Sequence, residues 1–264
     1  MSIGTPPLPV FPTLPGLTFT VVKSPGFNTL IDPAPNAYEV RLAQTVNPVW
    51  TWTLIYDFLH DFFWGSFSSV SELRTLMGFF NGQYGKANSF LFSDPDDNAV
   101  GPGLIVSTPN IPLAELQVIN DGAGHYYSPL QRTLDGVTYE DITDLNPQDG
   151  SGLALWTNGT PFAIGSSSSS LKGPGFALPG KSFMGLYIDW GTANPALPVT
   201  AAFNFYFRVR FDSDMQDFEK FLALGDQAGQ PPAGQGGGYW TVGGSESQNG
   251  SGTLKLRTAR PAPL

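Results

Sequence analysis

Residues 201–211 read AAFNFYFRVRF, and this stretch decides the fold. Phe203, Phe205, Phe207, Val209 and Phe211 take every second position, with Asn204, Tyr206, Arg208 and Arg210 between them. Successive side chains of a strand point to opposite faces, so the pattern predicts a half-buried strand with an aromatic inner face. Between residues 37 and 59 the same period returns. Tyr38, Val40 and Leu42 alternate with Glu39 and Arg41, and Trp50, Trp52, Leu54 and Tyr56 alternate with Thr51, Thr53 and Ile55. These two runs predict an antiparallel hairpin with one aromatic face. Near the end, Thr253-Leu254-Lys255-Leu256-Arg257 reads as a closing strand.

Helical periodicity occurs twice. Ser69 and Glu72 have capping-box spacing, and Leu73, Leu76, Met77 and Phe80 form one apolar stripe that Gly82 and Gly85 end. Phe90 and Phe92 then alternate with Ser89, Leu91 and Ser93 before Asp94-Pro95-Asp96-Asp97-Asn98, the composition of a tight turn. A second helix is predicted over 214–224. Ser213 and Gln216 take its cap positions, Met215, Phe218, Phe221 and Leu222 its inner face, and Gly225 its stop.

The 264 residues are enough for one large or two moderate domains. The chain is rich in glycine (31) and proline (24), and only 13% of it is charged, a profile of loop-rich β proteins partly covered by neighbours. Thirteen basic against 22 acidic residues give a net charge of -9, which disfavours a broad phosphate-gripping face. With no cysteine, stability rests on packing or oligomerisation and thiolate metal sites are excluded. No signal peptide and no run of roughly 20 apolar residues is expected to carry the chain into or across a membrane.

Pro6, Pro7, Pro9, Pro12 and Pro15 predict an extended N-terminal arm over 1–16, with a neighbouring subunit as its simplest holder. Residues 104–199 differ in texture, with Gly-rich turns, the serine run 166–170 and short apolar pieces at 116–119 and 183–188. They predict a β-rich insertion with one flexible loop. A Gly/Gln-rich loop over 225–238 leads to Tyr239-Trp240. The sequons at Asn158-Gly159-Thr160 and Asn249-Gly250-Ser251 read as turns.

Chemistry-bearing patterns are weak. Asp94, Asp96 and Asn98 match the first positions of a calcium loop, but Ala99 replaces its turning glycine and Ile105 its bidentate glutamate. His60 and His125 are isolated, and neither a zinc site nor a triad follows from them. Glu140, Asp141 and Asp144 could form a glycosidase pair, though acids in a polar stretch are usually a solvated face. Trp156, Tyr126, Tyr127, Trp190, Tyr239 and Trp240 suit either sugar stacking or protein interfaces, with core packing the default for Trp190.

In order along the chain come FPTLPGLTFTVVKSP, WTWTLIYDFL, ELRTLMGFFNGQYGKANSFLFSDPDDN and FYFRVRFDSDMQDFEKFL. This order resembles the distal tail proteins of long-tailed phages and gene transfer agents over roughly 10–103 and 200–224, plus the LKLRT strand. The resemblance implies a mainly β fold, an antiparallel β-sandwich or tube-like ring domain with one or two short helices. It divides the chain into 1–103 and 200–264, the two parts of the ring domain, around the 104–199 insertion.

The structural signature is then Leu76, Phe79, Phe80, Asn81, Gly85, Phe90, Phe92, Asp94, Asp97, Phe205, Phe207, Arg208, Phe211 and Phe218, with Trp156, Tyr239 and Trp240 as candidate partner contacts. The implied role is structural and non-enzymatic, without cofactor or metal. A ring, usually a hexamer, in the virion tail assembled in the host cytoplasm would join the tail tube and tape-measure region to the hub, baseplate and adhesion proteins. DNA would pass through its lumen without specific binding, and no membrane is involved. The alternative is a host-glycan-binding adhesin carried by 104–199. A glycan hydrolase within that insertion ranks last.

Overall fold

The structure, a computed structural model, describes residues 7–14, 17–33, 39–45, 47–56, 59–60, 71–101, 114–135, 137–165, 169–173, 177–178, 181–182, 185–223, 238–243 and 253–259. It is mainly β, 50% strand against 7% helix, in several antiparallel sheets, with one α-helix among the described residues. Two compact units form. One comprises 1–9, 91–208 and 260–264, the other 10–90 and 209–259.

In the second unit, Val49–Tyr56 lies between Leu17–Gly26 and Thr253–Thr258, antiparallel to both. Its alternation is strict: Trp50, Trp52, Leu54 and Tyr56 are buried, and the residues between them are half-buried. The hairpin expected between the two aromatic runs is not the pairing observed. Glu39–Ala43 instead pairs with Thr29–Pro33, and the Trp-rich strand takes Leu17–Gly26 and the closing strand as neighbours. An aromatic strand buried on one face gains most from a partner on each edge, which one hairpin does not supply.

The helix Glu72–Gly82 begins on Ser71, whose hydroxyl oxygen accepts from the Arg74 amide at 3.3 Å. The cap is thus not Ser69, which lies outside the described residues. Leu73 and Leu76 are buried, whereas Met77 is exposed and Phe79 takes the inward place expected for it. Phe79 stands 5.0 Å from Phe90 and 5.5 Å from Phe11, and Phe80 and Phe90 each stand 4.8 Å from Phe211, between ring centres. Edge-on and tilted aromatic pairs of this kind add about 0.5–1.5 kcal/mol beyond area burial.

The helix expected over 214–224 is a strand. Asp217–Ala223 pairs antiparallel with Gly238–Gly243, which also pairs with Leu59–His60. Ser213 closes a local turn by accepting from the Met215 amide at 3.1 Å, and Met215 is exposed. The capping-box reading was local. The Tyr239-Trp240-Thr241-Val242 partner, rich in aromatic and β-branched residues, offers a full ladder and overrides it.

In the first unit, the early part of Val199–Phe211 is a common partner. Ala99–Val100, Ala114–Glu115, Asp144–Asn146 and Ala154–Thr157 all pair with it antiparallel. Its phenylalanines are buried as the alternation predicts. Phe90-Leu91-Phe92 is a short strand buried at all three positions, so the alternation read there gives way to cover on both faces. Asn158 (φ 47°) and Gly159 (φ 73°) turn Ala154–Thr157 back into Thr160–Phe162, the paired positive φ that Asn-Gly supplies in a tight hairpin. The second sequon lies outside the described residues. The unit also holds a four-stranded sheet, Ser170–Lys172, Tyr187–Gly191, Tyr126–Pro129 and Ile119–Asn120, the hairpin Gln131–Thr133 with Tyr139–Asp141, and the pair Ala177–Leu178 with Lys181–Ser182.

The described part of the N-terminal arm is held by its own chain. Leu8 and Gln148 exchange two hydrogen bonds, at 3.1 and 3.0 Å, and the Leu91 amide donates to the Pro9 carbonyl at 2.9 Å. Phe11 and Leu14 are buried.

Candidate assembly surface

The signature residues turn out to be packing and turn residues. Leu76, Phe79, Phe80, Phe90 and Phe211 belong to the second unit's aromatic core, and Phe218 is half-buried in its strand. The Asn81 carbonyl accepts from the Tyr84 amide at 3.1 Å, and Gly85 (φ 61°) continues the turn, where a Cβ would lie 3.0 Å from the Asp214 Cα. Asp94 is buried in its turn: its carbonyl accepts from the Asp97 amide and its Oδ1 from the Asp96 amide. Phe92, Phe205 and Phe207 are core residues of the first unit.

The acids considered for catalysis are engaged in structure. The buried Arg132 guanidinium bonds Asp97 through Nη1 and Glu140 Oε2 through Nη2 at 2.6 Å, and lies 4.8 Å from the Phe207 ring centre. Arg208 holds Asp144 with two bonds at 3.0 and 2.6 Å, and Gln131 donates to Asp141 at 2.7 Å. His125 is exposed beside Tyr127, and among the described residues no three His, Asp or Glu side chains gather to hold a cation.

Tyr127, considered for sugar stacking or an interface, is interior, buried against Tyr187, and Trp190 is in the core as its default reading has it, with its indole N–H donating to Ser128 Oγ at 2.9 Å. Burial, then the charges of Asp189 and Tyr127, pushes the Tyr187 hydroxyl up to about 12. Tyr126 and Trp156 are half-buried, and the Tyr239 and Trp240 side chains lie outside the described residues.

The surface feature that sequence reasoning missed is a β-ribbon arm. Thr29–Pro33 and Glu39–Ala43 pair in register, Leu30 opposite Leu42 and Asp32 opposite Val40. Directly opposed residues share a face, so Leu30, Val40 and Leu42 form an apolar face with Asp32 at its tip. That face is bare: Leu30 is 53%, Val40 64% and Leu42 58% exposed. Ile31, Glu39 and Arg41 lie on the other face, where Arg41 donates twice to its own strand's Glu39, at 2.9 and 2.6 Å.

At its root the arm's two strands are tied to each other. The Gln44 amide donates to the Asn28 carbonyl at 2.8 Å and the Asn28 amide to Thr45 Oγ1 at 3.4 Å. Beyond this point residues 29–32 and 39–43 are exposed. A readable signal existed in Asp32-Pro33-Ala34-Pro35-Asn36, a turn cluster between two apolar runs.

An isolated two-stranded hairpin is marginal in water, and one with an apolar face ordinarily turns that face to a core. The arm can add strands edge to edge or cover an apolar surface. Two smaller apolar features share its exposure. Tyr84, in the left-handed region at φ 54°, and Met215 flank the ion pair of Lys86 with Asp214 (3.0 Å). Leu134 and Val137 cap the Gln131–Asp141 hairpin.

The chain matches no family model and no curated protein. Among the described residues no helix is long and apolar enough to cross a membrane.

Proposed function

We propose that this chain is a structural, ring-forming subunit of a phage tail tip, a distal tail protein that joins the tail tube to hub and adhesion proteins around a DNA-conducting channel. The observation carrying the reading is the arm's bare Leu30–Val40–Leu42 face, which one copy leaves exposed and an assembly would cover. The motif order supports it, as does the mainly β architecture. A net charge of -9 suits a channel that lets a polyanion pass without adhering. The proposed role needs no catalytic group, and the acids that resembled one are held in structural ion pairs and hydrogen bonds.

The test is mass by light scattering over a concentration series, with negative-stain images, both with and without isolated tail tubes. A closed ring of about six copies is expected. A strictly monomeric protein under both conditions would overturn the reading.

A further inference from the structure

We infer that the outer face of the sheet around Thr253–Thr258 binds an acidic segment of a partner polypeptide through Arg210, Arg257 and Lys255. The inference is independent of the ring reading and of the arm. The end of Val199–Phe211 pairs with Thr253–Thr258, which pairs in turn with Val49–Tyr56. Register sets Phe211, Leu256 and Trp52 in one row across the three strands, all buried. The next row, Arg210, Arg257 and Thr51, therefore lies on the opposite face, with Lys255 and Thr53 beside it. Lys255 and Arg257 are exposed, and Arg210 is half-buried.

Two arginines thus stand directly opposite one another, and like charges so placed destabilise a sheet. A carboxylate between them reverses the sign. Opposed residues have Cα atoms about 5 Å apart, and each planar guanidinium offers a fork of donors. Their own chain does not neutralise them: Arg210 Nη1 donates to the Phe211 carbonyl at 3.0 Å, and among the described residues no carboxylate pairs with Arg210 or Arg257. Asp214, whose carboxyl feels the charge of Arg210, is already held by Lys86 at 3.0 Å. Asp212 stands opposite Lys255, its amide donating to the Lys255 carbonyl at 3.0 Å. Three cations therefore face one such acid, in a chain with 13 basic and 22 acidic residues. The observations favour a polypeptide over nucleic acid. Thr51 and Thr53 give no ring on which a base could stack, and the acidic remainder repels a long polyanion, whereas a short run of carboxylates meets only the local excess of cations.

The test uses the full chain and a short oligoglutamate peptide, with oligoglutamine and a DNA duplex of equal charge as comparisons. Saturable binding of oligoglutamate that weakens with added salt is expected, and none of oligoglutamine. Arg210→Gln/Arg257→Gln should weaken it about tenfold or more. Arg41→Gln/Arg74→Gln removes the same charge at exposed positions elsewhere and should leave it unchanged. Thermal melts give a second readout. Without peptide, Arg257→Gln should melt no lower than wild type, because a like-charge pair has been relieved. With peptide, wild type should melt higher and Arg210→Gln/Arg257→Gln should not.

No binding of oligoglutamate, or equal weakening in Arg41→Gln/Arg74→Gln, would overturn the inference, the second by showing diffuse attraction. A duplex that binds more tightly than the peptide and is lost in Arg210→Gln/Arg257→Gln would make nucleic acid the occupant and overturn it too. So would self-association of the wild type that disappears in the same variant, since the acidic partner is then another copy. A clear fall in the melting temperature of Arg257→Gln would make the opposed pair a structural element and sink the argument from its cost.

Discussion

The Arg132 guanidinium lies 4.8 Å from the centre of the Phe207 ring while its nitrogens bond Asp97 and Glu140, so a buried cation is held by two carboxylates over an aromatic floor. Removing it strands two largely buried acids. Arg132→Met should cost about 3–5 kcal/mol, the usual consequence of breaking a buried ion pair from one side. Arg132→Lys should recover only part, because an ammonium lacks the planar fork. Urea denaturation measures both, and a loss under about 1 kcal/mol for Arg132→Met would show the network to be dispensable.

Phe211 is fully buried, with Phe79, Phe80 and Phe90 around it, whereas Phe80 is half-buried. Phe211→Ala should therefore cost about 3–5 kcal/mol and Phe80→Ala clearly less. Equal losses in thermal or urea melts would contradict this account of the aromatic core.

Adjacent residues Tyr84 and Gly85 both have positive φ, yet substitutions there should act in opposite directions. Gly85→Ala places a Cβ 3.0 Å from the Asp214 backbone in a left-handed conformation, and should lose about 1–2 kcal/mol. Tyr84→Gly relieves a strained, 76% exposed side chain and should be neutral or stabilising by up to about 1 kcal/mol. A clear loss of stability in Tyr84→Gly would mean that the ring makes a contact worth more than its strain.

Stability should fall at both pH extremes for identifiable reasons. The amides of Thr138 and Val137, then the Thr138 hydroxyl, hold the Asp135 carboxyl well below the usual carboxylate range. A lowered folded value gives stability that is present above about pH 4 and lost as pH falls below it. The gap in melting temperature between wild type and Asp135→Asn should be seen at pH 7 and shrink below pH 4. The raised Tyr187 acts at the other end: its contribution is intact below about pH 10 and lost as pH rises towards 12. A gap that widens in acid would reverse the role assigned to Asp135.

Legibility in the sequence followed the range of the interactions. The strand Val199–Phe211, the Asn158-Gly159 turn and the helix carrying Leu73 and Leu76 are written in neighbouring residues and were readable there. The Asp217–Ala223 strand was not, because Phe218 and Leu222 also fit a helical spacing and the partner that decides the matter begins at Gly238. The two- and three-residue strands between Ala114 and Ser182 are too short to show any period. For the candidate site, Val40 and Leu42 were recognised as strand residues but assigned to the wrong partner. Sequence patterning shows that a face is apolar and leaves open whether its own chain covers it.

Four strands of the first unit, Ala99–Val100, Ala114–Glu115, Asp144–Asn146 and Ala154–Thr157, share one partner that is synthesised after all of them. At about 5–20 residues per second, the ribosome leaves the earliest of them waiting on the order of ten seconds for Val199–Phe211 to emerge. The nascent chain thus spends that interval with several strand edges whose shared partner is missing, a period in which chaperone binding would compete with aggregation. A chain stalled before Val199 should be digested readily by protease, and one released past Phe211 should resist.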